Sequence, residues 1–195
     1  MTKRIFAAVD ISNEAKDKIS EYIKNLKSEF SDLRVGWEKT KKLHLTLKFL
    51  GNIDDSDLQK LNDAAMETAG QIPKFNLQTT ATDAFPSRKK ARVLWLGIKD
   101  KKGTLQKLSE GFEINCAKHG FAKDTRSFKA HLTIARLREP GKSKELIEKH
   151  LETKIEPAQF EVSEIVIYES HLQKTGSIYS VVSKHKLEEN ITADS

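Results

Sequence analysis

Two short stretches of this chain carry the same kinds of side chain in the same order, His44-Leu45-Thr46-Leu47 and His131-Leu132-Thr133-Ile134, a step of 87 residues from 44 to 131. On an extended strand successive side chains point to opposite faces, so each histidine shares a face with its threonine while the aliphatic residues share the other. One face packs, and the other presents an imidazole beside a hydroxyl. Imidazole moves protons in either direction near neutral pH, and a threonine hydroxyl donates to an anionic oxygen. A single His-x-Thr is an ordinary strand sequence. Two copies facing one another across a gap are the parts needed to split or form a phosphodiester. A neutral imidazole takes the proton of the attacking water or hydroxyl, and a protonated one gives a proton to the departing alkoxide. The two threonines then donate to the non-bridging phosphate oxygens, where negative charge grows. The two motifs are chemically equivalent, so the residues leave open which histidine donates and which accepts.

Other sets of reactive residues are excluded by type and spacing. Cys116 is the single cysteine; it falls in a helical pattern, where a buried structural role is the expectation, and it rules out an internal disulfide framework. There is no cysteine pair and no His-Glu-x-x-His run to hold zinc, and no glycine-rich phosphate loop followed by Lys-Ser/Thr, so neither a metal nor a cofactor is expected. His119, His150, His171 and His185 have no second copy and read as surface or capping residues. Trp37, Trp95 and Tyr168 have the shape to stack on a nucleobase, although Trp95 lies in an apolar run and fits a core better. Strict alternation places Arg136 on the face opposite His131, which leaves it out of the site. The same count puts Lys48 on the face of His44, as a strand-end lysine reaching solvent.

Strands and helices must position these residues, and their signals are legible. "RIFAAVDI" (4–11), "RVGWE" (34–38) and "HLTLKFLG" (44–51) have strand length and composition. Between the first two, Ala15, Ile19, Tyr22 or Ile23, Leu26 and Phe30 recur at three- and four-residue steps and predict a helix. Ser56 with Gln59 has the form of a capping box opening a second helix along Leu58, Leu61, Ala65 and Ala69, stopped by Gly70 and Pro73. "FNLQTTATDAF" (75–85) and "RVLWLGI" (92–98) read as strands, the latter central. Leu105, Leu108, Phe112 and Cys116 mark a third helix with Gly120 at its C-terminal cap. After "HLTIARL" (131–137) come a short helix over 144–151, one long strand "FEVSEIVIYES" (160–170) and a last strand "YSVVSKHKL" (179–187).

Each half offers a strand, a helix, further strands and one His-Leu-Thr strand. This order predicts an α+β fold of two pseudo-symmetric lobes, mostly antiparallel sheet with helices outside and an active cleft between them, over 1–195 as a single compact two-lobed domain. With 195 residues the chain is able to bury a sizeable core. No apolar run approaches the roughly 18 residues of a membrane span, and the apolar stretch near Met1 is too short and too soon acidic for a signal peptide; a cytoplasmic monomer is expected. The formal net charge of +6 permits a polyanionic partner, although most of the lysines alternate with acids on solvated helix faces.

The paired motifs, together with "RIFAAVDI", "RVLWLGI", "VSEIVIYESHL" and "GSIYSVVSKHKL" in this order, resemble the two-histidine (2H) phosphoesterase superfamily, and within it the RNA 2′,3′-cyclic phosphodiesterase (2′-5′ RNA ligase) branch. Ala130 stands where related sequences often have proline. The resemblance implies a metal-independent, cofactor-free hydrolase that opens 2′,3′-cyclic phosphate ends of RNA, tRNA-derived ends among them, to 2′-phosphomonoesters. It also implies His44 as proton donor, His131 as the base that activates water, and Thr46 and Thr133 as phosphate ligands. Reverse 2′-5′ ligation, hydrolysis of a small cyclic nucleotide, and a binding module that holds nucleotide or RNA without turnover are the alternative readings.

Overall fold

The structure is a computed structural model and describes residues 2–173 and 176–189. Among them the chain forms nine strands and four α-helices. The strands are β1 (Lys3–Asp10), β2 (Val35–Trp37), β3 (His44–Ile53), β4 (Phe75–Phe85), β5 (Val93–Lys99), β6 (His131–Leu137), β7 (Gln159–Val162), β8 (Glu164–Gln173) and β9 (Gly176–Lys186); the helices are α1 (Asn13–Glu29), α2 (Asp55–Ala69), α3 (Thr104–Lys118) and α4 (Lys144–Glu152). The strands make two antiparallel sheets, ordered β3-β1-β8-β9 and β2-β6-β5-β4-β7. This is the expected α+β architecture, with β5 at the centre of its sheet.

Three neighbouring strands of each sheet correspond. A histidine strand (β3 or β6) lies beside the strand that opens its unit (β1 or β5), and next comes a strand (β8 or β4) delivered from the other sheet's unit. The lobes are therefore not the two halves of the chain in succession, as the order of elements had implied. Helices are exchanged as well. α1 leaves β1 of the first sheet yet packs beside α4, where the Tyr22 hydroxyl donates to His150 Nδ1 at 2.8 Å and Lys149 pairs with Glu29 at 3.2 Å. α3 leaves β5 of the second sheet yet lies against α2 and β3, with Asn115 Nδ2 donating to Thr68 Oγ1 at 2.9 Å. One cluster of buried apolar side chains runs through both sheets, from Ile5, Val9 and Leu45 to Leu94, Leu96 and Leu132.

Local chemistry accounts for the helix ends. Ser12 caps α1 by accepting the Ala15 N–H at 3.2 Å, and Ala15, Ile19, Ile23 and Leu26 form its buried stripe. In α2 the cap is Asp54, not Ser56: its carboxylate accepts the N–H groups of Ser56 and Asp57. A carboxylate at the positive end of the helix satisfies two orphan donors and outcompetes a serine two residues later. Gly120 follows α3 at φ +94°, the left-handed conformation that closes a helix. The stretch 160–170 is two strands, not one. Ser163 separates β7 in the second sheet from β8 in the first, so this segment passes from lobe to lobe. Two neighbouring apolar runs read as one strand when their sheets are unknown.

Candidate active site

The two histidine strands approach one another across the gap between the sheets. His44 opens β3 and its Nδ1–H donates to the carbonyl of Lys42 at 2.6 Å; His131 opens β6 and its Nδ1–H donates to the carbonyl of Lys129 at 2.7 Å. A carbonyl only accepts, so each bond puts a proton on Nδ1 and leaves Nε2 of the neutral ring as the acceptor. Thr46 Oγ1 lies 3.2 Å from His44 Nε2 and donates to it. Thr133 is placed on β6 as Thr46 is on β3: Thr46 pairs with Ala8 of β1 and Thr133 with Trp95 of β5. All four residues expected from the repeat thus lie on corresponding positions of two facing strands, each His with its Thr.

Immediately past each motif the alternation breaks, and it breaks at the same place. Leu47 has no partner on β1, since Ala8 pairs with Thr46 and Ala7 with Lys48; Ile134 has none on β5, since Trp95 pairs with Thr133 and Leu94 with Ala135. These are β-bulges, one extra residue in each histidine strand. The carbonyl of Ile134 takes the Glu38 N–H at 2.8 Å. The consequence is that side chains beyond the bulge change face. Lys48 turns away from the cleft, is only 5% exposed, and binds Glu113 of α3 and the carbonyl of Ala122 at 2.9 Å. It is neither a cleft residue nor a solvent-facing one. Arg136 turns back to the face of His131, and its charge acts on His131 and on Tyr179 of the opposite sheet. Counting without a bulge had left Arg136 out; only pairing with β5 reveals it.

Aromatic side chains pack around both histidines. Phe6 of β1 stacks on His44 at 5.0 Å between centroids and on Tyr168 at 5.2 Å, and Tyr179 presents its edge to His44 at 5.5 Å. Phe49, past the bulge on β3, is 61% exposed and lies 5.8 Å from Phe6. On the other side Phe85 and Trp95 meet His131 edge-on at 4.9 and 5.8 Å, and Lys129 Nζ sits 4.5 Å over the Trp95 ring. Trp95 is buried, but against His131 rather than in the apolar core. Trp37 lies on β2 and packs against the core. Lys42 donates to the carbonyl of Ser177 and lies over the Tyr179 ring at 5.2 Å, which ties β9 to the turn before His44.

Burial governs the protonation of the pair. It pushes His44 down to about 4, against the upward pull of the bond to Lys42 and of the Asp10 carboxylate. His131 is also lowered, by burial first and then by the positive charges of Arg136 and Lys129. The remaining histidines lie elsewhere. His119 pairs with Glu67, His171 contacts Glu169 and Ser180, and His185 contacts Asn62 and Ser183. His150 departs from its expected surface role: it is fully buried between α1 and β4, with Nε2 donating to the carbonyl of Asp83 at 3.1 Å. Cys116 is fully buried, and its thiol is raised to about 12. Among the described residues no three His, Cys, Asp or Glu side chains come together as a metal-binding group, and no helix is long and apolar enough to cross a membrane.

Two facing sheets with one His-x-Thr strand each define a two-histidine architecture, and comparison with known proteins agrees. The family model of the 2′-5′ RNA ligase superfamily matches residues 15–174. A protein of Methanothermobacter thermautotrophicus named RNA 2′,3′-cyclic phosphodiesterase is 29% identical over 188 residues, covering 96% of this chain and 100% of the relative. One of the same name from Thermotoga maritima is 30% identical over 186 residues, covering 95% and 96%. The chain belongs to the 2′-5′ RNA ligase superfamily. Its fold is shared with TT0787 of Thermus thermophilus, at a TM-score of 0.77 and 22% identity over 96% of this chain and 99% of that one. It is shared also with Escherichia coli LigT, solved in complex with 3′-AMP, at 0.74 and 22% over 97% and 100%.

Proposed function

We propose that this protein hydrolyses the 2′,3′-cyclic phosphate end of RNA to a 2′-phosphomonoester, with His44 and His131 as acid and base and Thr46 and Thr133 as phosphate ligands. The observation that carries this reading is the matched pair of Nδ1–H bonds to the carbonyls of Lys42 and Lys129, which leave the Nε2 atom of each neutral histidine unprotonated and so suited to proton transfer. The names of the relatives supply the substrate class. Neutral His131 takes a proton from water as the water oxygen bonds to phosphorus. The bond from phosphorus to the 3′ oxygen breaks, and His44 gives that oxygen its proton. Thr46, which donates to His44 Nε2 in the free protein, turns its hydroxyl to a non-bridging oxygen. The assignment of donor and acceptor follows the family resemblance. Because burial keeps both imidazoles neutral at pH 7 in the free protein, the negative charge of the bound phosphate helps His44 take up its proton.

The protein works in this reading as a cytoplasmic monomer on RNA ends such as those of cleaved tRNA, without metal or cofactor. Its two lobes act as one unit, a reading supported by the exchange of α1 and α3 between them. The test is hydrolysis of a short RNA ending in a 2′,3′-cyclic phosphate, in EDTA, with the product read as 2′- or 3′-phosphate. The expected result is the 2′-phosphate, with losses of at least about 10²-fold in His44→Ala and His131→Ala. Tight binding of that RNA by the native protein with no turnover replaces the enzyme by a binding module.

A further inference from the structure

The two His-x-Thr sites are built alike, and they differ in what faces each histidine from the neighbouring strand. On β1 the residue paired with His44 is Asp10; on β5 the residue paired with His131 is Gly97. We propose that Asp10, anchored by the Tyr168 hydroxyl, is the positioning residue that makes the two histidines unequal, stabilising the imidazolium of His44 for the acid step; this rests on the phosphodiesterase reading above.

The geometry of the anchor is specific. Tyr168 of β8 places its hydroxyl 2.8 Å from each carboxylate oxygen of Asp10, and its ring stacks on Phe6, which stacks in turn on His44. The carboxylate is thereby held on the cleft face beside His44 instead of being free to turn to solvent. No counterpart is available beside His131. A Cβ at Gly97 would lie 2.5 Å from Thr80 Oγ1, so the packing that seats β5 against β4 leaves no room there for an acidic side chain. The charges around His131 are instead Arg136 on its own strand and Lys129 before it, both positive.

His44 has a mixed set of neighbours: Asp10 on β1 and Lys16 on α1, His131 on β6, and the phenols of Tyr168 and Tyr179, which burial keeps neutral. Of these, Asp10 is the anion. Burial by itself disfavours charge more strongly at His44 than at an exposed imidazole, so an acid at this position needs a fixed negative neighbour. In the phosphodiesterase reading the substrate phosphate sits between the two histidines and favours charge on both. The remaining difference is the carboxylate on one side and two cations on the other.

The test is Asp10→Asn, which keeps shape and removes charge, with Tyr168→Phe as a second variant that removes only the anchor. Histidine titrations are followed by NMR in the free protein, and kcat against pH on a cyclic-ended RNA. The expected result is a lower midpoint for His44 with that of His131 unmoved. The alkaline limb of kcat moves to lower pH, so that kcat at pH 8 falls roughly tenfold for each pH unit the limb moves; Tyr168→Phe shifts both in the same direction by less. An unmoved His44 midpoint, or equal shifts at both histidines, overturns the proposal, as does a loss of kcat that is uniform across pH. If Asp10→Asn fails to fold, the same criteria applied to Tyr168→Phe decide. If the native chain turns over no cyclic-ended RNA, the phosphodiesterase reading fails, while the NMR arm still decides whether Asp10 sets the charge of His44.

Discussion

Lys48 on β3 and Glu113 on α3 form a partly buried ion pair that joins the first histidine strand to the segment leading into the second. The Glu113 carboxylate also accepts the Asp124 N–H at 2.7 Å, and the Lys48 ammonium donates to the carbonyl of Ala122. Lys48→Met should therefore loosen the segment before His131 and leave Glu113 partly orphaned. A loss of about 1–3 kcal/mol is expected in urea denaturation. Replacing both partners, in Lys48→Met with Glu113→Gln, should recover part of it, because the larger penalty is the uncompensated charge. A double variant as unstable as the sum of the singles refutes the coupling.

Thr46 and Thr133 face the cleft beside their histidines and carry no charge of their own. Replacing either by valine keeps the shape and removes the hydroxyl proposed to donate to the phosphate oxygens. Each variant is expected to lose roughly 10²-fold in kcat with a smaller change in KM, since the bond strengthens as charge develops. Steady-state kinetics on a cyclic-ended RNA checks this, and a change confined to KM counts against it.

Gly97 seats the strand opposite His131, with Thr80 Oγ1 and the carbonyl of Ala81 close by. Gly97→Ala should push β5 away from β4, costing about 1–3 kcal/mol and lowering kcat through the displaced His131. Thr80→Ala in the same chain removes the nearer obstacle and should restore most of the stability. Thermal unfolding of the single and double variants reads the outcome.

His150 is fully buried, and burial lowers it below the ordinary imidazole value. A base depressed in the folded state stays neutral while the unfolded chain takes up a proton below about pH 6.5, so its stabilising contribution is complete above that pH and is lost as pH falls. His44, His131 and His185 act with the same sign. Unfolding free energy should therefore drop between about pH 7 and 5. His150→Gln should flatten that slope while lowering stability at pH 7, because Tyr22 and the carbonyl of Asp83 lose a well-fitted partner. An unchanged slope shows that His150 is not part of the acid sensitivity.

The strands, the helices and the four proposed site residues were legible in the chain because they rest on local periodicity. Alternation of apolar and polar residues places His44 with Thr46 and His131 with Thr133, and the recurrence of the motif marks these strands among the others. What alternation does not contain is the partner strand. The bulges at Leu47 and Ile134 exist only in the registers with β1 and β5, and they alone send Lys48 to Glu113 on α3 and Arg136 to the cleft. For the same reason 160–170 read as one strand until its two sheets were known, and His150 read as a surface residue until α1 closed over α4. The difference between the two histidines belongs to this second kind of information. The motifs are equivalent along the chain, and they become unequal only where β1 brings Asp10 to one and β5 brings a glycine to the other, because an imidazole's charge is set by its neighbours in space.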